Sequence, residues 1–122
     1  MTKITFYRSG GVYYGFREEG HTGYADEGYD IVCSALSSMT MLIINTVEDC
    51  YAGKIDYDID DTTTVISVTS RSALPEFEAD ERKRFAVSGL FLSYYRTLQD
   101  LMEEQYKYLS VSVVDKEYDE EI

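Results

Sequence analysis

Basic residues are scarce in this sequence. Lysine and arginine number 11 against 23 aspartates and glutamates, leaving a net charge of −12. A phosphate backbone needs a basic patch, so direct nucleic-acid binding is not expected, whereas a basic partner is. There is no tryptophan, one proline (Pro75), one histidine (His21) and two cysteines, Cys33 and Cys50. One histidine and two cysteines without a C-x-x-C pair do not make a zinc site, and nothing else calls for a metal or a cofactor. In a chain that reads as cytoplasmic, two cysteines are expected as thiols rather than as a disulfide. Long apolar runs are also missing. The longest, Met41–Ile44, is far short of the ~20 residues that cross a bilayer, so no membrane association is expected. Met1–Phe6 enters directly on an alternating pattern, with no apolar core of a secretory signal.

What remains is an ordinary globular composition, 44% hydrophobic and 28% charged over 122 residues, enough for a single domain with a real core. Residues 4–8 and 12–18 alternate as strands, on Ile4/Phe6 and on Val12/Tyr14/Phe16, with Ser9-Gly10-Gly11 as the turn. From about Asp30 to Val47 the period becomes helical. It sets Val32, Ala35, Leu36, Met39, Leu42 and Ile43 on one face and Asp30, Cys33, Ser34 and Ser37 on the other. Residues 55–60 and 64–69 form a second alternating pair. The aspartates at 56, 58 and 60 resemble a calcium loop, but Asp61 stands where that loop needs glycine and Ser67 where it needs glutamate. A second helix spans roughly Asp80–Tyr106, and Leu109, Val111 and Val113 mark a last strand. The order ββαββαβ predicts an α/β two-layer sandwich, a mixed or antiparallel sheet with both helices on one face. The acidic run 115–122 reads as a solvated, frayed tail.

Chemistry concentrates in Gly20–Ser37. Gly20, Gly23 and Gly28 make a loop free to bend, His21 sits at its mouth, and the first helix follows. Asp30 reads as the helix N-cap, with a second role open as the group that orients His21. Cys33 then falls in the first helical turn, where the helix dipole and a nearby imidazole both favour thiolate. Unpaired amides of that turn are candidate oxyanion donors. The same cysteine also fits as a small core residue and the histidine as loop surface. What speaks for chemistry is the helical phase, which sets Cys33 apart from Leu36 and Met39.

The pattern G-H-x-G-Y-A-x-x-G-x-D-I-V-C-x-A-x-S, running from Gly20 to Ser37, resembles the signature of the bacterial ribosomal-processing cysteine proteases called Prp. The resemblance implies a cytoplasmic, homodimeric cysteine endopeptidase that removes a short N-terminal extension from a basic protein of the large ribosomal subunit, protein twenty-seven. At matching positions Cys33 is the nucleophile and His21 the general base, with the Gly20–Gly28 loop moving over the substrate. Cleavage beside an aromatic residue implies an apolar pocket, for which Tyr24 and Tyr29 are candidate lining residues. Ile44, on the less apolar side of the helix, is then assigned to a dimer contact. Thr22 and Ser34 depart from the alanines common in the family. The rival readings are a non-enzymatic peptide-binding ribosome-assembly factor and a thiol redox sensor.

Overall fold

The computed structural model describes residues 1–20, 27–60 and 62–119, with residues 27–30 described by backbone only. Strands β1 (Thr2–Ser9) and β2 (Val12–Glu19) form the opening hairpin, and helix α1 (Glu27–Asn45) follows, ending in a π-helical turn at Thr46–Cys50. A second hairpin, β3 (Asp56–Asp60) and β4 (Val65–Thr69), leads through a 3-10 turn at Arg71–Ala73 to α2 (Glu81–Glu104) and to β5 (Leu109–Asp115). The expected ββαββαβ order therefore holds. The sheet order is β3-β4-β2-β1-β5, and it is mixed because β5 runs parallel to β1 while the other pairs are antiparallel.

Both helices cover the same face. Phe6 and Phe16 meet Tyr94 of α2 at ring separations of 5.6 and 5.0 Å, and Glu18, on the side of β2 shared with Phe16, is bonded to both helices. The core seals Ile4, Phe6, Phe16, Val32, Leu36 and Phe91 from solvent. Asp80 caps α2, its carboxylate accepting from the N–H groups of Arg82 and Lys83.

The simple alternation expected along β2 is interrupted. A bulge between Tyr7 and Arg8 in the β1–β2 register gives two residues of β2 one partner, and Tyr14 turns to the outer face. There it stacks on Tyr7 and meets Tyr118 edge-on, while Tyr13 faces inward against Tyr95. Gly15 follows because β2 and β4 approach too closely for a side chain: a Cβ would lie 2.7 Å from Thr69 Cγ2 and from the Val68 carbonyl oxygen.

Nor is the terminal acidic run frayed throughout. Arg8 pairs with Asp115 through Nε and Nη2, at 2.7 and 3.1 Å, and Tyr14 donates its hydroxyl to the Lys116 carbonyl. Tyr118 donates to Asp56 at 2.6 Å and packs against Phe77. The tail is held because its aromatic residue covers the outward-turned Tyr14.

In α1 the buried positions are Val32, Leu36, Thr40, Ile43 and Ile44, continued by Val47 in the π-helical turn, so the core stripe is rotated from the one expected. Leu42 is 61% exposed, and Ile44 belongs to the chain's own core, which removes the dimer contact assigned to it. Ile31–Cys50 is, by length and composition, apolar enough to cross a membrane. A sum over contiguous residues misses this because serines and threonines interrupt the run. Here the same segment supplies half a dozen core side chains.

Glu18 is the most consequential buried residue. It is fully enclosed, and its Oε1 accepts from Tyr94 at 2.6 Å and from Thr40 at 3.1 Å. Among the described residues no partner reaches Oε2. Burial pushes the carboxyl up to about 7, against the opposing effect of the two hydroxyl bonds. Between the ordinary carboxyl value of 4.5 and about 7, the folded protein holds a proton that the unfolded chain has released. Stability therefore falls as pH rises through that window and levels off above it, by ~3 kcal/mol in all. Glu18→Gln keeps an acceptor for both hydroxyls and cannot ionise. Urea unfolding should show it more stable than the wild type at pH 8 and nearly equal at pH 4.5. Parallel pH dependences in the two proteins would show that Glu18 carries no such cost.

Candidate functional site

β2 delivers the chain to the site through Gly20. This residue has φ of 92°, a left-handed value that strains any side chain, and a Cβ there would collide with the Met1 carbonyl oxygen. The exit from β2 is thus fixed against Met1, the residue just before β1. His21, Gly23 and Tyr24 lie outside the described residues.

α1 begins at Glu27, earlier than the expected start near Asp30. Asp30 is therefore inside the first turn, not at the N-cap, and Gly28 is a helical residue, not part of a loop. The misplacement has a plain cause: Gly28 is a poor helix former and carries no apolar side chain to show the period. The side chains of Tyr29 and Asp30 lie outside the described residues.

Cys33 consequently falls in the second turn of α1. There its own N–H takes part in the helix ladder, and the dipole effect, strongest in the first turn, has weakened. The expectation that Cys33 sits among unpaired helix-start amides is corrected accordingly. Cys33 is half-buried on the flank of the rotated core stripe, whereas Cys50 is exposed in the π-helical turn. Both are thiols.

One turn further along the face of Cys33 lies Ser37, which opens a cavity of about 260 Å³ between α1 and the edge of the sheet. Thr40 and Met41 of α1 form one wall, Ile59 and Asp60 of β3 with Ile66 of β4 the other, and Thr64 closes an end. Thr40 is the link to the core, since its hydroxyl donates to Glu18 behind it. Ile66 is the cross-strand partner of Glu18. The Asp60 carboxylate accepts the N–H groups of Thr62 and Thr63 at 2.9 and 3.2 Å, and these bonds, that of Thr63 foremost, hold its pKa below the usual carboxylate range.

Sequence reasoning missed Glu18 and this cavity. For Glu18 a signal existed, because a glutamate continuing the Phe16 parity of β2 must face inward. The cavity left no comparable trace, since its walls come from elements brought together only by the β2–β4 pairing.

Ser37 sets this cavity one turn along α1 from Cys33, and the class of the chain follows from its family. The model of the family "Cysteine protease Prp" matches residues 1–121, and the chain belongs to that family of cysteine proteases. No curated protein matches it. Among solved structures, SMU.848 from Streptococcus mutans superposes with a TM-score of 0.77 at 22% identity, covering 95% of this chain and 99% of that one. The ribosomal processing protease Prp from S. aureus, in complex with a substrate peptide, gives 0.76 at 16% identity over 93% of this chain and 100% of its own. The same protease with a covalently linked product peptide gives 0.73. These likenesses establish that the fold is shared.

Replacing Gly20 by alanine should force both the left-handed φ and the clash with Met1. A loss of ~1–3 kcal/mol in denaturant unfolding is expected. An unchanged midpoint would mean that the β2 exit relaxes without cost.

Proposed function

We propose that this chain is a cysteine endopeptidase in which Cys33 is the nucleophile and His21 the general base, acting on the N-terminal extension of large-subunit ribosomal protein twenty-seven. The observation that carries the proposal is the family match over residues 1–121, which includes both chemical residues of the Gly20–Ser37 motif. The S. aureus protease with a covalently linked product peptide supports a covalent route.

In this mechanism His21 takes the Cys33 proton, and the thiolate attacks the scissile carbonyl to form a C–S bond. Collapse of the tetrahedral adduct breaks the C–N bond, and the imidazolium gives its proton to the departing amine. Water, deprotonated by His21, then attacks the thioester, and Cys33 leaves as thiolate. Gly20 anchors one end of the segment that bears His21, so any movement of that segment over the substrate hinges there. Tyr24, in that segment, and Tyr29, in the first turn of α1, remain the candidates for substrate contact. Asp30, in the first turn of α1, is assigned an orienting role toward His21.

Working in the cytoplasm on a basic protein, an enzyme of net charge −12 gains encounter rate from electrostatic steering, without contacting nucleic acid. A homodimer is part of the proposal. Phe85, 82% exposed, and Leu92, about two turns further along α2 with Gly89 between them, offer it an apolar stripe.

The deciding assay incubates the host's ribosomal protein twenty-seven with the wild type and with Cys33→Ala, read by mass spectrometry. Loss of a short N-terminal fragment with the wild type alone is expected. His21→Ala should lower the rate by ~100-fold or more. A stable complex without cleavage by either protein would instead identify a peptide-binding ribosome-assembly factor. Iodoacetamide at neutral pH should modify Cys33 much faster than Cys50, although Cys50 is the more exposed. Equal rates, or a faster Cys50, would remove thiol activation from the proposal.

A further inference from the structure

The cavity beside Cys33 has a chemical character more specific than its shape. Met41, Ile59 and Ile66 give it apolar walls, Ser37 and Thr64 add hydroxyls, and the one ionisable group among the described residues that line it is the Asp60 carboxylate. The one proton on the Thr40 hydroxyl is committed to Glu18, so toward anything else Thr40 is an acceptor. Asp60 is kept ionised by the N–H groups of Thr63 and Thr62. Behind Thr40, Glu18 holds a second carboxyl oxygen with no partner among the described residues. Among the described residues that line it, none is lysine, arginine or histidine.

Three kinds of side chain can be compared against this lining. An acidic one meets Asp60 with like charge. A purely apolar one, aromatic or aliphatic, fits the walls but takes Asp60 from water without replacing its hydrogen bonds. A long methylene stem with a cationic head satisfies both requirements, the stem on Met41, Ile59 and Ile66 and the head on Asp60 and Thr40.

We propose that this cavity is a specificity subsite for a lysine or arginine side chain of the bound peptide. Its place relative to the chemistry rests on the assignment of Cys33 as nucleophile. Four helical residues separate Cys33 from Ser37 at the cavity mouth, a rise of ~6 Å, which an extended peptide covers in ~2 residues. The basic side chain therefore belongs two or three positions from the residue whose carbonyl meets Cys33.

Binding is measured on Cys33→Ala by NMR, with the methyl signals of Met41, Ile59 and Ile66 as reporters. The probes are N-acetyl-lysine methylamide and its uncharged near-isostere N-acetyl-norleucine methylamide, with the phenylalanine and glutamate analogues as controls. Lysine should perturb these methyls and bind about 5-fold or more tighter than norleucine. Asp60→Asn, which keeps an acceptor for Thr62 and Thr63, should erase that difference. Equal or tighter binding of norleucine or phenylalanine overturns the proposal, as does lysine binding that leaves these methyls unmoved. Lysine selectivity in a protein that cleaves nothing would uphold the subsite and sink the protease assignment. Cleavage that ignores lysine-to-norleucine exchange at all positions near the scissile bond would do the reverse.

Discussion

A single carboxyl joins the three parts of this fold. Glu18 rises from the central strand β2, takes one hydroxyl from α1 and one from α2, and does so with no solvent contact. Apolar burial would hold either helix on the sheet with considerable freedom of rotation, since packing alone tolerates many registers. Two hydrogen bonds to one oxygen do not tolerate them. They fix which face of α1 is turned inward, bringing Thr40 and Ile44 into the core, leaving Leu42 outside and placing Cys33 at the boundary. The cost is a buried carboxyl with one oxygen unsatisfied, tolerable because it titrates close to neutrality and need not always carry charge.

The architecture was largely readable in advance because strands and helices in this chain differ sharply in period. Ile4/Phe6, Thr64–Thr69 and Leu109/Val111/Val113 alternate, whereas Leu90, Tyr94, Leu98 and Leu101 recur at helical spacing, and the observed elements follow these patterns closely. Legibility failed where the deciding interaction lay outside the local window. Val12, Tyr14 and Phe16 alternate perfectly on paper, yet the bulge puts Tyr14 on the opposite face, where Tyr118, far along the chain, covers it. The beginning of α1 was misjudged because Gly28 obscures it, and the stripe of α1 because Thr40, polar by type, is core by partnership.

The candidate site divides the same way. His21 and Cys33 stood out because residues of their type are so few that each must be accounted for. Family membership supports cysteine-protease chemistry for the motif that contains them. Asp30 and Gly28, assigned from local rules of capping and loop composition, were moved into the helix by a start only a few residues earlier. The cavity wall of Ile59, Asp60 and Ile66 belongs to one hairpin, but its place opposite α1 depends on the β2–β4 pairing, which no single window of sequence contains.

The pairing of β1 with β5 bears on how the molecule is made. Arg8 and Asp115 meet across 107 positions of sequence, and every rung of that parallel ladder spans a comparable separation. During synthesis β1 emerges early and can pair on one side with β2 at once, but its other edge stays open until β5 has cleared the ribosome. A nascent chain of this protein therefore carries an unpaired strand edge until β5 emerges. Completion of the sheet waits on β5, and an edge left open in the interval is exposed to pairing with other chains.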